Sequence, residues 1–125
     1  MTLPDVLEAL AVRLPDRVRA DHLKAPDEPL MLSYLVRVGD DWKRVWERKL
    51  INWHGAYGPW WLEMACREEC EARGWGISQK IWNDGSGITT VNVFVPGCPY
   101  LPNGKGDTPA HALCLAFLSA LEAQP

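Results

Sequence analysis

Apolar positions in this chain change period several times, and each change marks an element. Leu3, Val6, Leu7, Leu10 and Leu14 recur at helical spacing with Asp5, Glu8 and Arg13 between them, which predicts an amphipathic helix from Thr2 to Leu14. Pro15 ends it. Asp16 to Pro29 is charged, holds Pro26 and Pro29, and reads as a connector. Leu30 to Val38 fits two periods. Leu32, Tyr34, Val36 and Val38 alternate as in a strand, whereas Met31, Tyr34, Leu35 and Val38 share a helix face. Pro29 as a first helical residue tilts the reading to helix. Beyond Gly39-Asp40-Asp41, the residues Trp42, Val45, Trp46, Leu50 and Trp53 form a stripe at helical spacing, with Lys43, Arg44, Glu47 and Arg48 outside it. That stripe predicts a helix from Asp41 to about Ile51.

Asn52 to Gly58 reads as a turn region. Pro59 opens a further helix whose face is Leu62, Ala65, Cys66 and Cys70, and Gly74 closes it. Trp75 to Trp82 and Ile88 to Val95 read as strands joined by the turn Asn83-Asp84-Gly85-Ser86-Gly87. In the second strand Thr89, Val91, Val93 and Val95 occupy one face, and Ile88, Thr90, Asn92 and Phe94 the other. Pro96 to Gly106 reads as a loop. Thr108 then caps a helix begun by Pro109, and its residues up to Leu121 are apolar nearly all round, so a sheet must cover it. The expected fold is α+β: a short antiparallel hairpin sheet packed by helices, with a tryptophan-rich helical N-terminal segment. Residues 1–125 are expected to form a single domain, 1–58 its helical segment and 59–125 a helix–strand–strand–helix unit.

Composition narrows the function classes. With 47% hydrophobic and 23% charged residues and a formal charge of −3, the chain is globular in character. Its mildly acidic balance argues against indiscriminate binding to nucleic acid or anionic membrane. No apolar run approaches the ~20 residues a membrane span needs, and the first residues show no secretory pattern. The expected location is therefore the cytoplasm. Seven tryptophans, Trp42, Trp46, Trp53, Trp60, Trp61, Trp75 and Trp82, either build a small core or anchor a partner; the core reading comes first.

Candidate chemistry is sparse. Cys66, Cys70, Cys98 and Cys114, with His111, match no common zinc spacing, and buried free cysteines behave as small hydrophobes. A cysteine nucleophile at Cys98 or Cys114 with His111 lacks an evident orienting third residue. Gly104-Lys105-Gly106 before a helix suggests an anion site but lacks the spacing of a nucleotide loop, and Asp107 would repel an anion there. Lys43, Arg44, Arg48 and Lys49, interleaved with Trp42 and Trp46, could meet phosphates and stack bases, or could be the wet side of an amphipathic helix. No catalytic residue, metal ligand set, cofactor or small-molecule substrate is expected.

The run Gly104-Lys105-Gly106-Asp107-Thr108-Pro109-Ala110-His111-Ala112-Leu113-Cys114-Leu115-Ala116, with the hairpin before it, resembles the phage ABA-sandwich domain family over about Pro59 to Ala123. That resemblance implies a fold and carries no catalytic residues. Val95-Pro96-Gly97-Cys98 and Gly106-Asp107-Thr108 also resemble the corresponding stretches of HicB-type antitoxins. The resulting expectation is a small non-enzymatic phage or prophage protein that binds another protein, from the bacterial host or the phage, with an accessory or anti-defence inhibitor as its sharper form. Nucleic-acid binding is the alternative. The expected contact residues are Trp42, Lys43, Arg44, Trp46, Arg48, Lys49, Trp53, Trp60, Tyr100 and Lys105.

Overall fold

The computed structural model of the chain describes residues 1–25, 28–49, 53–56 and 59–123. Contacts group the chain into two compact units, Met1–Ala65 and Cys66–Pro125. Among the described residues there are three helices and seven strands, an α+β arrangement.

The first unit opens with helix α1, Leu3–Arg13. Its first turn is closed by the Asp5 carboxylate, which accepts from the Thr2 backbone N–H at 3.1 Å and the Thr2 hydroxyl at 2.7 Å. Four strands follow as an antiparallel meander: β1 Val18–Ala25, β2 Glu28–Val38, β3 Asp41–Lys49 and β4 Trp53–Ala56. Helix α1 packs on β1 and buries Val6, Leu7 and Leu10; Val18, Tyr34, Val36, Val45 and Trp46 are buried on the strands. Burial raises the Tyr34 phenol pKa, helped by the charges of Glu8 and Asp5 on α1. At the outer end, the Arg17 guanidinium donates to the carbonyl of Arg37 (3.0 Å), and Arg37 donates to those of Asp16 (2.8 Å) and Gly39 (2.9 Å).

The expected helical N-terminal segment is therefore mostly sheet. The connector over Asp16–Pro29 is largely β1 and the start of β2, Leu30–Val38 is strand rather than helix, and the turn region after Asn52 holds β4. Most telling is Asp41–Ile51, expected as helix and found as β3 up to Lys49. Tyr34 pairs with Trp46 and Leu35 with Arg44, so Val45 is an extra residue in β3, a β-bulge. The bulge breaks the two-residue alternation. It leaves Val45 and Trp46, adjacent in sequence, both buried, and with Trp42 they imitate the i, i+3, i+4 spacing of a helix. Of the tryptophans read as helical, Trp60 and Trp61 are so placed, in helix α2, Pro59–Arg73.

The second unit begins within α2. That helix ends at Gly74, whose φ of +73° suits glycine. The Gly74 N–H donates to the Glu71 carbonyl (3.1 Å) and the Trp75 N–H to that of Cys70 (2.8 Å), the paired bonds of a Schellman cap. Strands β5 (Gly76–Ile81), β6 (Thr89–Phe94) and β7 (Asn103–Gly106) form an antiparallel sheet in that order. Helix α3, Pro109–Glu122, lies against β6 and β7. Its cap is the one read from sequence: the Thr108 hydroxyl accepts from the His111 N–H at 3.2 Å. Val91, Val93, Leu113, Cys114 and Phe117 are buried, and Trp75 meets the Phe117 ring at 5.9 Å.

The loop expected over Pro96–Gly106 thus ends in a strand. Its glycines serve packing. A Cβ on Gly104 would overlap the Ala112 carbonyl and lie 2.6 Å from the Ala116 nitrogen, so α3 rides directly on the β7 backbone. An all-round apolar helix at this distance needs no side chain beneath it.

Candidate binding surfaces

In antiparallel strands, directly paired residues share a face, and this sorts the expected contact residues of the first unit. Lys43 pairs with Val36, whereas Arg44 pairs with Leu35 and Trp42 with Arg37. Lys43 and Arg44 therefore leave opposite faces, as neighbours in a strand must. The basic–aromatic run does not form one patch. Trp42 is half-buried under the Arg19 guanidinium, 4.3 Å from its ring. Trp46, only 7% exposed, is a core residue packed on Tyr34 at 5.8 Å. Arg48 and Lys49 lie on β3 and Trp53 on β4, where Lys49 pairs with Trp53; their side chains lie outside the described residues.

On α2 the arrangement is different. Trp60 is 53% exposed yet stacked on Trp61, with ring centroids 3.7 Å apart and planes inclined by 30°. The Lys43 ammonium sits 4.9 Å from the Trp61 ring, so the pair is held from behind by a cation–π contact. Met64, one helical turn on from Trp60, is also exposed. These side chains form an exposed apolar ridge with its largest member already ordered.

In the second unit, Tyr100 is exposed and lines a groove of about 330 Å³ with Phe94, Pro96, Cys98 and Leu101. Lys105 lies elsewhere on the sheet. It lines a groove of about 260 Å³ with Trp82, Asp84, Ser86, Ile88 and Thr90. Sequence reasoning missed Lys80, Trp82 and Thr90 as surface residues. The signal was present in the alternation of β6, which puts Thr90 and Asn92 on the face opposite Val91 and Val93.

Three of the four cysteines, Cys66, Cys70 and Cys114, are buried, and Cys98 is half-buried. Cys66 and Cys114 are buried with their sulfurs 3.7 Å apart. Burial, with the nearby Cys66 and Glu69, pushes the Cys70 thiol up to about 12, far from the thiolate that nucleophilic chemistry needs. Among the described residues no group of three or more His, Cys, Asp or Glu side chains could hold a metal ion. No described helix is long and apolar enough to cross a membrane. Compared with family models, curated proteins and solved structures, the chain matches none.

Proposed function

We propose that this chain is a small non-enzymatic binding protein, of the phage or prophage type that its C-terminal motif resembles, and that it acts by docking another protein of the bacterial cytoplasm onto the Trp60 ridge. An accessory or anti-defence inhibitor is the role that fits such a protein. The observation that carries the reading is Trp60 itself, 53% exposed and stacked on Trp61. A large aromatic left half in water costs solvation, and one already ordered loses little further entropy when covered. Residues of that kind dominate protein interfaces.

The test is capture from a bacterial lysate by the tagged chain beside a Trp60→Ala variant shown by circular dichroism to be folded. Trp60 is half-exposed and its ring stacks on Trp61, so the variant is expected to lose about 1 kcal/mol of stability and to remain folded. The expected result is a stoichiometric protein held by the unaltered chain and lost from the variant. Equal capture by both, or capture by neither, overturns the proposal.

A further inference from the structure

The open face of the β5–β6–β7 sheet carries a second, chemically different surface. Its residues follow from the register: Lys80 pairs with Thr90 and Thr90 with Lys105, while Ser78 pairs with Asn92 and Asn92 with Asn103. Neighbouring strands lie ~4.8 Å apart, which sets the two lysine Cα atoms about 10 Å apart across Thr90. None of the three strands contains an acidic residue, although the chain as a whole carries −3. Its middle is hydroxyl and amide, and its exposed apolar members lie at the ends: Phe94, 49% exposed, at the end of β6, Trp82, 43% exposed, just past β5, and opposite Trp82 the aliphatic Ile88, 36% exposed, just before β6.

Trp82 is held in place. Its indole N–H donates to the Thr90 hydroxyl at 3.0 Å, and the Lys80 ammonium lies 3.7 Å from the ring. One side of the indole is thus backed by a cation, and the ring borders the groove lined by Ser86, Thr90 and Lys105. The one acid at that rim, Asp84, already accepts from the Ser86 backbone N–H at 2.9 Å.

From this juxtaposition we infer that the open sheet face binds a short single-stranded RNA. Lys80 and Lys105 meet its phosphates, Trp82 and Phe94 stack unpaired bases, and Ser78, Thr90, Asn92 and Asn103 bond base edges and ribose hydroxyls. Charge complementarity selects a polyanion. Exposed rings require bases that are not already stacked, which excludes a duplex. Amide and hydroxyl side chains both donate and accept, matching the 2′-hydroxyl that distinguishes RNA from DNA. A protein partner would call for a fully desolvated apolar centre, whereas the centre of this face is Thr90, Asn92 and Asn103, with the apolar side chains at its ends.

The experiment is fluorescence anisotropy of a labelled, mixed-sequence single-stranded RNA of about eight nucleotides, titrated with the full chain at low salt. The expected result is saturable binding. Trp82→Ala weakens it about ten-fold or more, the scale of one lost base stack, while Trp82→Phe keeps most of the affinity. Lys80→Gln combined with Lys105→Gln weakens binding and flattens its salt dependence. Circular dichroism confirms that each variant is folded. The inference is overturned by absence of binding, by binding that these variants leave unchanged, or by equal affinity for duplex RNA or for single-stranded DNA of the same sequence.

Discussion

At Cys70 burial is the largest influence on the chemistry, with Cys66 and Glu69 adding to it. The side chain is 1% exposed, and its thiol pKa is raised from 9.0 to about 12. Cys66 and Cys114 are buried with it, whereas Cys98 is half-buried beside Tyr100. A thiol reagent at pH 8 is therefore expected to modify Cys98 in the native protein and to reach the other three only on unfolding; fast modification of a second thiol would contradict this packing. A pH dependence follows from the same group. Above pH ~9 the unfolded chain releases the Cys70 proton while the folded chain keeps it, so the unfolded state binds fewer protons and stability falls as pH rises. The contribution is intact below pH 9 and declines between 9 and about 12, by no more than about 1.4 kcal/mol per pH unit. Denaturant midpoints at pH 8 and pH 10 are expected to differ less in Cys70→Ala than in the unaltered chain.

Elements were legible where one local rule acted alone. α1, α2 and α3 were readable from their apolar spacing and their Thr, Pro and Gly boundaries, and β5 and β6 from alternation about a glycine turn. The remaining strands were hidden for separate physical reasons. β1 carries Arg19, Asp21, His22 and Lys24, which resemble a solvated linker until a neighbour supplies the pairing. β3 mimics a helix through its bulge at Val45. β7 is Asn-Gly-Lys-Gly, a loop composition whose glycines answer to α3 and not to a turn. The site was less legible than the fold, because Lys80, Thr90 and Lys105 meet only through register. The β7–α3 contact makes its own prediction. Gly104→Ala places a methyl 2.6 Å from the Ala116 nitrogen and 2.7 Å from the Leu115 Cβ. The helix or the strand must move, at a cost of about 1–3 kcal/mol, as for overpacking in a filled core. Chemical denaturation should show a lowered midpoint for Gly104→Ala, and an unchanged midpoint would mean that α3 stands further from β7.

For the whole molecule, the net charge decides how the open sheet face can act. At −3 the chain has no long-range attraction for a polyanion, so the two lysines work only at contact distance, within the ~8 Å over which salt leaves charges unscreened. This limits the electrostatic part of RNA binding to about two neutralised phosphates. Each phosphate on a single strand contributes ~0.7 to the slope of log affinity against log salt. The expected slope is therefore about −1.4, far shallower than for a basic nucleic-acid-binding protein, and the residual affinity at high salt is carried by stacking on Trp82 and Phe94. Anisotropy titrations at a series of salt concentrations measure it directly. A slope much steeper than −1.4 would mean that more cations than Lys80 and Lys105 meet the phosphates. Trp60→Ala serves as the control, because it removes no charge and lies on no strand of the β5–β6–β7 sheet. It should leave the slope and the RNA affinity unchanged while abolishing protein capture, which separates the two proposed surfaces in one pair of measurements.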